Sequence, residues 1–463
     1  MATNAVNSPM ALGTFPIGKL LMQYSIPAII ASVATSLYNI VDSIFIGHGV
    51  GAMAIAGLAI TFPLMNLVIA FCVFISAGGS TICSIFLGQK DYTRAKNVLN
   101  NVFILSLIHS VVFGGLSILF LDEILYFFGA TAETIPYARE FMRIILYGTP
   151  ISYLFISLNN MLRATGYPKK AMASALLTVL VNVILAPIYI FVLKWGIAGA
   201  ALATICGQSV GLIWLLKHFY SKNSFVHIGS HKELKLSISI VKRIYSIGMS
   251  PFLMNVCACI VVIFINSALL ETGKEIGDLA VGAFGIVNRT GMLFVMIVFG
   301  ITQGMQPILG YNYGAKQWDR VKQTLRIGLF VGILITTIGV VMAELFPYEI
   351  SSLFTTDKVL IDISVTGFRI SFIFYSAVGG GVIIQNFLQA IGKPKISIFL
   401  SLTRQLLFLI PNLLILPHFF GVNGVWLSLS ISDLLAFLVA LITLWLLLQR
   451  ENKHFSSLIN SRS

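Results

Sequence analysis

The sequence contains one ten-residue stretch twice, 226 residues apart. The first copy, NMLRATGYPK, begins at Asn160, and the second, NFLQAIGKPK, begins at Asn386, so six of the ten positions are identical. Further pairs share this offset to within two residues: Gly88 with Gly314, Lys90 with Lys316, Gly196 with Gly421, Gly199 with Gly424, and Pro27 with Pro251. A duplicated unit predicts two halves of similar fold, with the functional site near the plane where they meet.

The composition is that of a membrane protein. Hydrophobic residues make up 57% of the chain and charged residues only 10%, whereas soluble domains carry about 25% charged residues. Apolar runs of roughly 20 residues or more recur along the sequence, which is long enough for helices that cross a hydrocarbon core. This pattern predicts an all-α polytopic membrane protein and excludes outer-membrane β-barrels, whose strands alternate apolar and polar residues.

Twelve membrane helices are predicted, six in each half. Their expected ranges are 17–46, 52–84, 96–120, 136–161, 171–194, 197–218, 244–270, 279–309, 323–346, 360–388, 396–417 and 422–448. They define an N-lobe at 1–218, a linker at 219–243, a C-lobe at 244–448 and a tail at 449–463.

The basic residues predict the orientation in the membrane. If both termini are cytoplasmic, 22 of the 30 lysines and arginines lie in cytoplasmic segments, among them Arg163 and the linker residues Lys222 and Lys232. Basic residues flank membrane spans on the cytoplasmic side. We therefore expect a multi-pass protein of a bacterial plasma membrane with cytoplasmic termini, whose net charge of +13 reflects topology and not nucleic-acid binding.

The even number of helices in each half makes both halves insert in the same direction, so the pseudo-two-fold axis runs along the membrane normal. Two six-helix lobes around a central cleft are typical of an alternating-access carrier. Channels more often build their pores from several subunits, and an internally duplicated chain is expected to function as a monomer.

Charged residues within the apolar runs are candidates for function, because a charge at a helix centre costs at least ~2.5 kcal/mol. They are Asp42, Arg289, Arg369, Arg404 and Asp433. Asp42 is the sole acid in the apolar runs of the first half, and Tyr38 shares its helix face at i, i+4. With the adjacent Asn39 these residues form a candidate substrate-binding group, since a carboxylate can bind a proton or Na⁺ and attract a cation. The alternative is a structural acid bonded to a neighbouring helix.

Asp433 and Arg289 are secondary candidates. Asp433 lies among Ser428, Ser430 and Ser432 and serves either helix packing or ion handling in the C-lobe. Arg289 either counters an anionic substrate or pairs with an acid or a carbonyl group. Arginine keeps its proton, which makes it a poor proton carrier.

No catalytic or cofactor motif is visible in the sequence. The five cysteines lie inside apolar runs, the seven histidines are scattered, and no GxxxxGK[ST] phosphate-binding loop occurs. We expect no enzymatic activity, no cofactor and no metal beyond a coupling Na⁺, and we expect ATP not to drive the protein.

Three segments resemble hallmarks of the multidrug and toxic compound extrusion (MATE) family, especially its bacterial MepA-like branch. They are Leu37-Tyr-Asn-Ile-Val-Asp-Ser-Ile-Phe-Ile-Gly47, preceded by Pro27; Leu162-Arg-Ala-Thr-Gly-Tyr-Pro-Lys169; and Gly304-Met-Gln-Pro-Ile-Leu-Gly-Tyr-Asn-Tyr-Gly-Ala315. The resemblance extends over about 17–448, with the motifs in the family's order and spacing.

The resemblance implies two lobes in a V and export of drugs and organic cations in exchange for H⁺ or Na⁺. It also implies an N-lobe ion-coupling site at Asp42, Asn182 and Thr204, the residues that would hold any Na⁺. The family often has a second aspartate where this chain has Ala186. A single carboxylate favours a proton, or a Na⁺ site of altered affinity, because Na⁺ needs several hard oxygen ligands and compensating charge.

Three functions compete at this stage. The leading hypothesis is a secondary-active antiporter that exports amphipathic, mostly cationic compounds by alternating access. A lipid-linked oligosaccharide flippase of the same wider superfamily is the alternative, although such flippases commonly need a more cationic cavity. An intramembrane enzyme would need a His, Cys or carboxylate constellation, and none is visible. The physiological substrate does not follow from the sequence.

Overall fold

The structure, a computed structural model, describes residues 10–221, 224–229, 233–273 and 276–460. Lys222 and Lys232 of the predicted linker lie outside these residues. Helices dominate, and no β-strand occurs in the described ranges, which confirms the predicted all-α membrane class.

Twelve helical units follow one another along the chain, and we number them α1 to α12. Their bounds are α1 Ile17–Gly49, α2 Ala52–Gly88, α3 Tyr92–Leu119, α4 Ile135–Tyr147 with Thr149–Ala164, α5 Pro168–Pro187 with the π-helix Ile188–Val192, α6 Gly196–Tyr220, α7 Ile238–Gly273, α8 Gly277–Gly314, α9 Trp318–Leu345, α10 Lys358–Ser371 with Tyr375–Ala390, α11 Pro394–Leu402 with the π-helix Thr403–Leu409 and Ile410–Phe420, and α12 Val422–Asn460. Three short helices, Ala11–Thr14, Leu121–Phe127 and Pro347–Ser352, precede or connect them. Ten units are long and apolar enough to cross a membrane, and the described chain reaches twelve spans if the bent units α4 and α10 count once each.

The predicted ranges need correction at four places. α4 and α10 are not continuous but bend by 56° and 55°. In α4 the break falls at Gly148, and Pro150 lies in the first turn of the second segment, where the missing N–H of proline costs nothing.

The stretch between α6 and α7 is shorter than predicted, running from 221 to 237, and α12 continues to Asn460 into the expected tail. The lobe boundaries stay a prediction.

The repeat recurs in the backbone conformation of the turns. Left-handed φ angles occur at matched positions: Lys90 (61°) and Lys316 (59°), Gly166 (100°) and Gly392 (72°), Gly196 (56°) and Gly421 (57°). The hydrogen bond from Asp91 N to Phe86 O (2.9 Å) likewise has its counterpart 226 residues later, from Gln317 N to Asn312 O (2.8 Å). Such bonds satisfy the last carbonyl groups of a helix, so α2 and α8 end in the same way.

The two halves of the chain, α1–α6 and α7–α12, meet through α1 against α8 and through α2 against α7 and α8. The contact is tightest at one end of the bundle, which we call the basic end because the turns with Lys90 and Lys316 lie there. A Cβ atom at Gly88 would collide with the carbonyl group of Tyr311, and one at Gly314 with that of Ile85. These glycines allow the helix backbones to touch.

The close contact does not continue to the opposite end. It extends along α1 as far as Ser36, whose hydroxyl lies 2.9 Å from Sδ of Met296 in α8. Beyond this level, Ile44 of α1 and Met292 of α8 are 50% and 53% exposed. Within the described residues, the glycine contacts between the halves all lie between the basic end and the level of Gly300. We call this part of the bundle, as far as Ser36 of α1, closed, and the part beyond it open.

Candidate functional site

The structure brings Asp42, Asn182 and Thr204 together from three helices of the first half. Nδ2 of Asn182 in α5 donates to Oδ2 of Asp42 in α1 at 3.4 Å and to Oγ1 of Thr204 in α6 at 3.1 Å. The Thr204 hydroxyl donates to the carbonyl of Ala200, one turn earlier in α6 (3.2 Å). A single amide thus links a carboxylate to a hydroxyl, and all three side chains offer oxygen atoms to the same small volume.

Two oxygen atoms of this group lack a donor. Oδ1 of Asp42 and Oδ1 of Asn182 are buried, and neither accepts a hydrogen bond from a described residue. None of the described ion pairs includes Asp42. A buried carboxylate is costly unless it is paired, protonated or bound to a cation. These oxygens are suited to a proton or to a small hard cation.

The site lies beyond the closed part of the bundle. Asp42 follows Ser36 by six residues in α1, which is about 9 Å along a helix, and it is displaced toward the open end. Tyr38 and Asp42 are both half-buried, whereas Asn39 is exposed. Ala186 is fully buried and lies one turn after Asn182 in α5.

The secondary candidates are separate from this site. Asp433 in α12 is only 5% exposed and pairs with Arg404 in the π-helix of α11, Nε to Oδ1 at 2.5 Å. Ser432 accepts a hydrogen bond from Asn412 at 3.0 Å beside this pair. Arg289 in α8 is exposed and belongs to none of the described ion pairs.

A polar cluster between the halves was missed by the sequence analysis, and we call it the inter-half seal: Ser80, Thr81, Arg163, Gln303 and Gln306. Nε2 of Gln306 in α8 donates to the hydroxyls of Ser80 (3.0 Å) and Thr81 (2.7 Å) in α2. The Arg163 guanidinium bonds to Gln303 across the interface. The signal for this cluster was the presence of two glutamines in an otherwise apolar stretch of α8.

The prediction that Arg163 lies in a cytoplasmic loop is therefore wrong. It lies in the last turn of α4, and its guanidinium also donates to Oδ1 of Asn159 (2.8 Å) and of Asn160 (2.9 Å). Apolar runs cannot distinguish a helix end that faces water from one that faces another helix.

The described residues contain no group of three or more His, Cys, Asp or Glu side chains that could hold a metal ion. The five cysteines are free thiols, and three of them are buried.

Comparisons with known proteins agree with the fold. The MatE family model matches residues 27–188 and 246–414. The multidrug export protein MepA of Staphylococcus haemolyticus (strain JCSC1435) is 27% identical over 441 residues, 95% of this chain and 96% of that protein. MepA of Staphylococcus aureus (strain NCTC 8325 / PS 47) is 27% identical over 451 residues, 96% of this chain and 97% of that protein.

Solved structures show the same architecture. A multidrug resistance MATE family transporter of the MOP superfamily in an outward-facing conformation superposes with a TM-score of 0.88 at 26% identity, over 97% of this chain and 98% of that chain. A MATE structure in the bent conformation gives a TM-score of 0.90 at 25% identity, over 97% and 99%.

The fold and these comparisons thus define a polytopic membrane transporter. The match to more than half of its length shows which one: the chain belongs to the MATE family.

Proposed function

We propose that this protein is a secondary-active multidrug efflux antiporter, which exports amphipathic, mostly cationic compounds in exchange for H⁺ or Na⁺. The observation that carries the proposal is the position of Asp42. It is an unpaired acid, linked to Asn182 and Thr204, just beyond the closed part of a bundle that is open at its other end. The MepA relatives are named as multidrug export proteins and are covered almost completely.

Asp42, Asn182 and Thr204 are proposed as the ion-coupling site, with Tyr38 and Asn39 beside Asp42 as substrate contacts. A proton is the favoured coupling ion. A proton needs one carboxylate, whereas Na⁺ is better held by several hard oxygen ligands with compensating charge, and the methyl group of Ala186 supplies neither. Asn182 Oδ1 and Thr204 Oγ1 still make a weaker Na⁺ site reasonable.

The proposed orientation of the protein in the membrane follows from the positions of its basic residues. The basic end carries Lys90 and Lys316, and the positive-inside rule assigns such turns to the cytoplasm. Both termini and the linker are proposed to be cytoplasmic, and the structure then corresponds to an outward-open state. Transport requires the inter-half seal to break while the opposite end closes.

A functional monomer in the lipid bilayer is proposed, because the internal repeat supplies both halves of the transporter within one chain. Small-molecule drugs or toxins are its proposed partners, with no role for nucleic acid, cofactor or catalysis. The flippase alternative is less favoured, because the relatives that match this chain over nearly its whole length are named as multidrug export proteins.

The test is export of a cationic dye into inside-out vesicles under separately imposed H⁺ and Na⁺ gradients. We expect accumulation that collapses when the coupling gradient is removed. Equal accumulation with and without either gradient would contradict antiport.

A further inference from the structure

The second half of the chain contains a cavity that lies apart from the proposed ion-coupling site and from the inter-half seal. It lies between the outer part of α7 and the end of α11, away from the basic end, and measures about 560 Å³. Phe264, Leu413, Leu414 and Pro417 give it apolar walls, and Glu271 is a carboxylate in its lining. Pockets for drug-sized ligands typically measure ~300–1,000 Å³ and combine apolar walls with a few polar groups.

At the matching helix ends of the first half, the described side chains pack against each other. The rings of Phe45 in α1 and Phe191 in α5 meet edge to face, with centroids 6.1 Å apart. A Cβ atom at Gly49 would collide with Ile190 and touch Phe191. Side chains thus fill this level between α1 and α5, where the second half has its cavity between α7 and α11.

The ion-coupling group shows the opposite asymmetry. Offsets of 224 to 226 residues place Asn266, Phe408 and Leu429 where the first half has Asp42, Asn182 and Thr204. The second half therefore has no carboxylate at this level, and its nearby acid Asp433 is already paired with Arg404. The halves thus differ: the first presents the unpaired acid Asp42, and the second presents the cavity between α7 and α11.

We propose that the cavity between α7 and α11 binds the apolar rings of a monovalent organic cation, with Glu271 countering the positive charge. This inference rests on the proposed function and deepens it, because it separates the substrate from the coupling ion by assigning them to different halves. A flat aromatic cation suits a site with Phe264 in its wall and a carboxylate nearby, since aromatic faces and acids both attract cations.

The experiment measures binding of ethidium, a fluorescent monovalent cation, to the full chain in nanodiscs by fluorescence anisotropy, without any ion gradient. Leu414→Trp fills the cavity from an exposed position, and Ile415→Trp is its matched control on the adjacent exposed residue outside the lining. Glu271→Gln removes the carboxylate, and Asp278→Asn is the control at an exposed acid outside the lining.

We expect Leu414→Trp to raise the Kd for ethidium about tenfold. Glu271→Gln should raise it about threefold, with a smaller effect at high salt. Both control variants should bind as wild type does. Should Leu414→Trp misfold, as judged by a lowered Tm, Ser267→Phe fills the same cavity from α7.

Equal Kd values for Leu414→Trp and Ile415→Trp, or no ethidium binding by wild type, would overturn the proposal. Binding that is weakened by cavity filling but unchanged by Glu271→Gln would overturn the role of the carboxylate. Gradient-driven export of wild type tests the proposed function separately, because the binding assay does not depend on coupling.

Discussion

Gln306 donates a hydrogen bond to the hydroxyl of Ser80 at 3.0 Å, and these two residues occupy the same position in the two halves of the chain, 226 residues apart. A pair related by the internal repeat can touch only where the pseudo-two-fold axis passes. The reciprocal contacts of Gly88 with Tyr311 and of Gly314 with Ile85 obey the same symmetry. The axis therefore runs through the closed end, and any rocking of one half against the other must disrupt these contacts.

Weakening the seal should shift the conformational equilibrium. Gln306→Leu removes the hydrogen bonds from the Gln306 amide to Ser80, Thr81 and the carbonyl of Ala77 in the other half. A net hydrogen bond is worth ~0.5–1.5 kcal/mol, so we expect opening of the basic end to become roughly tenfold more frequent. Distances between spin labels at positions 90 and 316 measure this opening. Gln385→Leu is the matched control, since Gln385 bonds to Ser401 within the second half. Identical distance distributions in both variants would show that Gln306 does not hold the seal.

Asp42→Asn should abolish coupled export while the protein still inserts and folds. The amide keeps the size and the hydrogen-bonding capacity of the side chain but cannot exchange a proton or neutralise a cation. Dye transport in vesicles, normalised to membrane abundance, is the measurement. A structural acid would tolerate the amide, and near wild-type transport would place the coupling site elsewhere, with Asp433 as the next candidate.

Ala186→Asp should shift the ion preference toward Na⁺. The new carboxylate would follow Asn182 by one turn of α5, and two acids at close range raise each other's proton affinity unless a cation lies between them. Export should then depend more steeply on the Na⁺ gradient and slow at neutral pH without Na⁺. An unchanged Na⁺ dependence, relative to wild type in the same vesicles, would show that Ala186 does not face the site.

Asp433→Asn should lower stability more than removal of both charges. Breaking this ion pair leaves the half-buried Arg404 uncompensated, at a cost of up to about 3 kcal/mol, whereas the double variant Arg404→Gln/Asp433→Asn removes that penalty. The Tm in detergent should fall clearly for the single variant and recover in the double variant. Transport by the double variant is expected to stay near wild type. Its loss at normal Tm would instead assign ion handling to Asp433.

The linker should be cytoplasmic. Lys235 is exposed, so Lys235→Cys should react with a membrane-impermeant maleimide in inside-out vesicles and not in intact cells. The chain with its five native cysteines alone gives the background. Labelling in intact cells would reverse the proposed topology.

The sequence by itself determined the membrane class, the two halves and the position of one unpaired acid. These properties depend on composition, on the repeat and on the cost of a charge among apolar residues. All three can be read from the order of the residues without knowing which helices touch. The resemblance of its motifs added Asn182 and Thr204, which the apolar pattern of α5 and α6 does not distinguish from their neighbours.

Only the tertiary structure decided which helix faces meet. In a membrane, lipid and protein interior are both apolar, so hydrophobic periodicity does not indicate which side of α8 packs against α2 or that Arg163 reaches Gln303. The bend at Gly148, the closure at the basic end and the cavity beside Glu271 depend on contacts between residues far apart in the chain. For that reason Asp42 was predictable as a candidate site residue, whereas the inter-half seal was not.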